Sequence, residues 1–409
     1  MQSLITEKRM SSPSPGVVST SAAAVSTGQP VSKPQRLISL DVVRGITIAF
    51  MIMVNNNGGP GSWGFMNHAA WNGLTPTDLV FPTFLFIVGI STVFGTEARL
   101  AKGASRAELA KHTVIRAIVL IFFGWIVNNF PLFHWNHMRF YGVLQRIGLC
   151  YLVVGLFYLL DKRIVSKVAL LATCLLGYWA LVTLVPVPGA GVPGRDMPIL
   201  DKDQNIVNYV DQQLMPGHLY EDWTTHNLRD PEGLLSAIPA IGTALLGMIT
   251  GICLRKNAPT NKKALGLVIG CVACLAVGYL WSIWFPLNKK MWTSSYVLVA
   301  AGWSLALLTV CFWAVEVKNW RKGWTFPWLV FGSNAITAYM VSELLPGILS
   351  LFRPTDNGHT ESIEGFIFNH FNAHIPDPGW AAFSWSVLFA AVCFIPVLIL
   401  YKKKIFLKI

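Results

Sequence analysis

Ten apolar stretches, each close to twenty residues long, dominate this 409-residue chain and leave it few ways to fold. They lie near 38–56, 78–96, 114–130, 141–160, 167–186, 233–254, 264–285, 294–315, 325–352 and 380–401, with charged or Gly/Pro-rich residues between them. A bilayer core about 30 Å thick takes roughly 20 apolar residues of helix to cross. Hydrocarbon offers no water to backbone N–H and C=O groups, so a spanning segment is a helix or a strand of a closed barrel. The alternation of barrel strands is missing from these stretches. The expected fold is all-α: a polytopic membrane helix bundle of about ten transmembrane helices, over residues 35–409. A hydrophobic content of 53%, a charged content of 13% and a mean hydropathy of +0.51 agree with that class. Residues 1–34 are Ser/Pro/Ala-rich without one aromatic, and bury too little to repay their ordering; they read as a disordered tail.

Basic residues orient the bundle. With the tail in the cytoplasm, 24 of the 32 Lys and Arg residues fall on the cytoplasmic side, although the longest loop (187–232) lies on the other. That is the asymmetry expected when positive charge is retained inside. Both termini are then cytoplasmic, and the expected location is the cytoplasmic (inner) membrane of a bacterium. The net charge of +12 is thus a topology signal. It is spread over short loops without a contiguous face, which argues against nucleic acid as a partner.

Between the first two helices the chain reads VNNNGGPGSWGFMNHAAWNGLTPTDLVFPTFLFIV, residues 54–88. One polar loop, rich in hydrogen-bonding groups, is thereby pinned at the outer membrane face with a single histidine, His68. Its neighbours Asn55, Asn56, Asn57, Asn67 and Asn72 donate and accept without charge, while Trp63 and Trp71 suit a sugar ring or the interface. A neutral imidazole among amides can serve as a general base. Loop histidines are more often plain surface polarity, and it is this company that sets His68 apart.

Polar groups within apolar spans are costly unless paired or wetted. Asp41 and Arg44 sit three apart on one helix face, as an interfacial ion pair or a functional pair. Asp78 follows Thr75-Pro76-Thr77 and reads equally as an N-cap. Arg146, after Gln145, cannot shed its charge. Glu343 lies deep in the ninth stretch, nine residues after Asn334. Asp230 and Glu232 of the DPEG segment read either as an outer rim or as an N-terminal helix cap. Cys271-x-x-Cys274 falls mid-helix, where two small packing residues are the simpler reading. His134-x-x-His137 and His370-x-x-x-His374 have ligand spacing, but no carboxylate cluster accompanies them, so no metal is expected. A P-loop, a GxSxG elbow and a GxGxxG fingerprint are also missing.

Five blocks carry a resemblance. RLISLDVVRGITIAFMIMVN, NHAAWNGLTPTDLVFPTFLFIVG, RFYGVLQRIGLCYLVVG, DPEGLLSAIPAIGTALLG and LNKKMWTSSYVLVAAGW, in this order over residues 36 to about 345, closely resemble the heparan-α-glucosaminide N-acetyltransferase family. The resemblance implies a transmembrane N-acetyltransferase that moves acetyl from cytoplasmic acetyl-CoA to the amine of a glucosamine-type sugar on the far side. The LDVVRG opening is also similar to a wider group of membrane acyltransferases. The family's catalytic histidine corresponds to His68. Its active-site asparagine corresponds to Asn55, with Asn57 as the alternative, and a homodimer is implied.

On that reading His68 and Asn55 are the catalytic candidates. Asn57, Trp71, Asn72, Asp78, Asp230 and Glu232 are expected to meet the sugar, and Arg44, Gln145 and Arg146 to serve the acetyl-CoA channel. His68 either takes a proton from the sugar amine in a direct transfer, the simpler route, or carries the acetyl group itself. The competing class is an amino-sugar transporter. Transporters tend to repeat their broken helices in both halves, and the NHAAWNG block has no second copy.

Overall fold

The computed structural model describes residues 37–407 apart from 60, 134–137, 221–228, 354, 357–358 and 361. The tail 1–34 and the His134-x-x-His137 pair lie outside the described residues. Residues 36–409 form one compact unit. It is a helix bundle: α1 Ile38–Asn55, α2 Val80–Leu100, α3 Arg106–Asn129, α4 Val143–Leu160, α5 Ile164–Leu184, α6 Ile206–Leu214, α7 Ala237–Arg255, α8 Thr260–Trp281, α9 Ser294–Phe312, α10 Phe326–Ser333, α11 Ala335–Ser350, α12 Ile363–Asn372 and α13 Pro378–Lys402. Among the described residues nine helical segments are long and apolar enough to cross a membrane, and the chain is an integral membrane protein. Local chemistry starts several of them. Ser105 and Glu108 close a reciprocal capping box before α3, and Asp377 accepts the Trp380 N–H ahead of Pro378 at α13.

The ninth apolar stretch departs from a single span. The run 325–352 is split into α10 and α11 at Asn334, whose backbone (φ −128°, ψ 43°) leaves the helix. The Asn334 side chain donates to the Ile405 carbonyl at 3.1 Å and accepts the Leu407 N–H at 3.0 Å. It thus ties the segment after α13 to the break. Asn334 is itself buried in the protein, the setting in which discontinuous helices are tolerated at membrane depth.

Helices α1, α2, α4, α7 and α9 form the centre, with α2 packed along α7 and α1 along α10. α1 buries 67% of its apolar segment and α8 only 11%, which marks α8 as a peripheral helix. Close approach between α1 and α10 depends on missing Cβ atoms: one on Gly45 would stand 1.8 Å from the Trp328 carbonyl oxygen, and one on Gly332 2.1 Å from that of Asp41.

The connecting segments gather at two faces. At one, the loop 56–75 meets 282–293 and 200, through Asn72–Asn288, Gly73–Leu287 and Trp71–Leu200 contacts. Trp63 lies edge-on to Trp380 at the start of α13, with centroids 4.8 Å apart. At the opposite face Glu97 accepts from Tyr158 (2.8 Å) and Lys162 (2.6 Å) and stands 3.6 Å from Arg255, joining the ends of α2, α4 and α7.

Candidate active site

The loop before α2 is built to present His68. Two 3₁₀ turns, Gly64–Met66 and Pro76–Leu79, lie against each other, with the Thr77 hydroxyl donating to the Phe65 carbonyl at 2.8 Å and Met66 buried beneath. Asn67 donates to the carbonyls of Ser62 and Trp63 and closes the turn. Asp78 then does two jobs. Its Oδ2 accepts the Ala69 and Thr75 N–H groups at 3.1 and 3.0 Å, capping the approach to α2, while its Oδ1 stands 2.7 Å from His68 Nδ1. The cap reading and the functional reading of Asp78 are thus one geometry. An ionised carboxylate only accepts, so Nδ1 carries the imidazole proton and Nε2 keeps its lone pair. Asp78 is buried, whereas 44% of the His68 side-chain surface stays open.

A residue not singled out in the sequence completes the group. Lys289 Nζ lies 3.2 Å from His68 Nδ1 and 3.1 Å from Nε2. Its loop is tied to the His68 loop at several points. Asn288 donates to the Asn72 side-chain oxygen (3.1 Å), the Gly73 N–H bonds the Leu287 carbonyl (2.9 Å), and Lys290 donates to the Ala70 carbonyl (2.9 Å). Burial lowers the His68 pKa below the ordinary histidine value and the Lys289 charge lowers it further, with Asp78 opposing both. The imidazole is therefore neutral at physiological pH. Burial also lowers the Lys289 pKa, against the opposing charges of Glu232 and Asp78. The signal that could have found Lys289 was the Lys pair inside the block LNKKMWTSS.

Glu232 contributes charge to this centre, not contact. Arg139 holds it at 2.6 Å and grips Asp230 with two nitrogens, at 2.9 and 2.5 Å, while stacking over Tyr220. Burial would raise the Glu232 pKa, but the Arg139 and Lys289 charges hold it below the usual value. Trp71 and Asn72 serve to join loops: the Trp71 indole donates to the Leu200 carbonyl and Asn72 binds Asn288. Asn57 donates to Asn67 and the Met66 carbonyl.

The structure does not bring Asn55 to His68. Its amide donates to Glu343 at 2.9 Å, and Asn55 lines a cavity of about 310 Å³ together with Asn56, Gly58, Glu364, Phe368 and Trp385. Arg146 is fully buried near the His68 face, over the ring of Trp292, donating to the Gly233 carbonyl at 2.9 Å and to the Ser236 hydroxyl. Gln145 presses on Gly124 of α3. These two do not join Arg44.

Arg44 lines a larger cavity of about 540 Å³. One face of α2 forms its wall from Phe81, one turn after Asp78, through Ile87, Ser91 and Gly95 to Arg99. At 1.5 Å per residue that row spans roughly 27 Å, close to a bilayer core. Apolar Phe81, Leu144 and Ile147 line the end towards His68, whereas Arg44, Arg99, His112 and Arg116 gather towards the other face. Arg44 also pairs with Asp41 and donates to the Gly332 carbonyl at 2.6 Å, so this pair is both structural and exposed to the cavity. Among the described residues no group of three His, Cys, Asp or Glu side chains is placed to hold a metal; His374 bonds back to the His370 carbonyl.

Residues 36–190 match the family model described as heparan-alpha-glucosaminide N-acetyltransferase, catalytic. The chain is 30% identical to heparan-alpha-glucosaminide N-acetyltransferase of Homo sapiens over 92% of its own length and 60% of that protein. It is 30% identical to the Mus musculus protein of the same name over 77% of its length and 54% of the relative. The chain thus spans somewhat over half of these relatives, and the matched segment contains His68, Asp78, α2 and most of the cavity wall. Residues 36–190 are thus similar to the catalytic segment that this family model describes, and the likeness to the mammalian proteins runs on through most of the remaining chain.

Proposed function

We propose that the protein transfers an acetyl group from acetyl-CoA, entering from the cytoplasm, to the amine of a glucosamine-type sugar at the extracytoplasmic face. One observation supports this reading: a histidine held by a buried carboxylate precedes α2, and from Phe81 onward that helix walls a deep cavity with a basic far end. The relatives' names supply the acceptor and the reaction class. The positive-inside asymmetry supports the orientation, with the Arg44, Arg99 and Arg116 end facing the cytoplasm.

The division of labour follows from the geometry. The basic residues at the cytoplasmic end suit the phosphates of CoA, and the apolar row along α2 suits its long neutral arm. At the other end the sugar amine attacks the thioester carbonyl, His68 Nε2 takes the amine proton, and the C–S bond breaks. The proton then passes to the departing thiolate. Asp78 keeps the imidazole in the tautomer that leaves Nε2 free and stabilises the imidazolium that forms. Asn55, engaged with Glu343, is assigned to the neighbouring cavity and not to the carbonyl.

The test is turnover by the purified protein with acetyl-CoA and glucosamine, beside His68→Ala. Loss of a general base lowers the rate by about 10²- to 10⁴-fold, with acetyl-CoA binding retained. Undiminished turnover in the variant would remove His68 from the chemistry. A folded wild-type protein that neither binds nor consumes acetyl-CoA would favour the transporter.

A further inference from the structure

A primary amine already stands against the base. Lys289 Nζ lies 3.2 Å from His68 Nδ1 and 3.1 Å from Nε2, beside the imidazole and off the axis of the Nε2 lone pair, while Nδ1 is committed to Asp78. An amine is thus held in contact with the group that the proposed reaction uses as its base. Its carrier loop is anchored to the His68 loop on either side, by Asn288 to Asn72 and by Lys290 to the Ala70 carbonyl, so the approach is built into the fold. Trp292, with φ 54°, turns the chain back into the core beyond it, where its indole donates to Thr243.

We propose that Lys289 is an intramolecular stand-in for the acceptor, and that the site acetylates its Nζ when acetyl-CoA arrives and no amino sugar is bound. This rests on the acetyltransferase reading of the same site. The Lys289 amine attacks the thioester carbonyl; the C–N bond forms and the C–S bond breaks. The amine proton moves to His68 Nε2 and from there to the leaving thiolate, giving an acetyl-lysine amide and free CoA. No further reactant is needed. The direction of the Lys289 pKa shift supplies more of the neutral amine than an exposed lysine would hold. Acetylation removes the cation beside His68, so the modified enzyme has a less depressed imidazole and a bulky amide beside it. The sugar amine and the Lys289 amine compete for the same acetyl group and the same base, which couples sugar binding to protection of Lys289.

The experiment uses the full-length purified protein, incubated with acetyl-CoA with and without glucosamine. Acetyl on Lys289 and on the adjacent Lys290 is then quantified by peptide mass spectrometry. The expected result is acetyl on Lys289 well above Lys290, suppressed by glucosamine and lowered about 10²-fold or more in His68→Ala. Equal labelling of both lysines, or labelling that survives His68→Ala and excess glucosamine, marks simple solution chemistry and overturns the proposal. A protein that acetylates glucosamine but leaves Lys289 unmodified overturns it too, with the proposed function intact. Absence of transfer to either amine sinks both readings together.

Discussion

The charges around His68 and those along the α2 cavity are used in different ways. Around His68 the ionised groups are held by partners: Asp78 by His68, and Asp230 and Glu232 by Arg139, with Lys289 against the imidazole. Along the cavity Arg99 and Arg116 border the open space, with Arg116 over the ring of Tyr151, 4.9 Å away. Paired charges hold their protonation states and positions; cations along a cavity wall are available to a ligand. The difference teaches where reaction and where recognition belong in one membrane protein.

The strongest way to break that comparison is at Asp78. In Asp78→Asn the new amide donates to Nδ1 and shifts the imidazole proton to Nε2, which removes the base. Turnover is expected to fall between about 10²- and 10⁴-fold, with acetyl-CoA affinity kept, measured as kcat and as binding. A variant that loses acetyl-CoA binding instead would mean the two regions are not separable. Along the cavity, Arg99→Gln with Arg116→Gln should raise KM for acetyl-CoA by roughly tenfold per lost phosphate contact and leave kcat nearly unchanged. A fall in kcat with KM unmoved would reverse the assignment.

Acid inactivation sharpens the comparison further. Because His68 is held below the ordinary histidine value, the wild-type rate should fall only as pH drops below about 6.5. Lys289→Met removes a positive charge beside the imidazole, favours its protonated form, and should move this acid limb to higher pH. An unmoved limb would show that Lys289 does not set the state of His68. The smallest effect is expected at Asp211, whose carboxyl is pushed up to about 7 by burial while its Oδ1 accepts the N–H of Leu234 at 3.0 Å. A group with a raised pKa contributes stability at low pH that is lost as pH rises through the folded value. Asp211→Asn keeps an acceptor without the charge. The stability of the variant relative to wild type should therefore rise between about pH 4 and pH 7 and stay level above that, read as the difference in melting temperature across the range.

Sequence pattern made the spans legible because hydrocarbon imposes length and composition on each helix by itself. It did not reveal the break at Asn334, which depends on a chain segment about seventy residues further on bonding to that one side chain. His68 was legible from its loop, and Asp78 as a cap. Their pairing was not, since it requires the loop to fold back across ten residues, and Lys289 arrives from 221 residues away. Arg146 and Gln145 were recognisable as buried polarity, but which wall they face is decided by helix rotation. Burial of Arg146 over Trp292, away from the α2 cavity, is the outcome of that rotation.

The row from Phe81 to Arg99 makes α2 a ruler. The 3₁₀ turn leading directly into this helix carries Asp78, which fixes the His68 end, and the helix itself carries Arg99 at the mouth, so one continuous rod spans the distance between them. On the proposed function, a donor gripped at the mouth would deliver its thioester to His68 only if its arm matched that rod. Selection for acetyl-CoA over shorter acetyl thioesters would then be a matter of length.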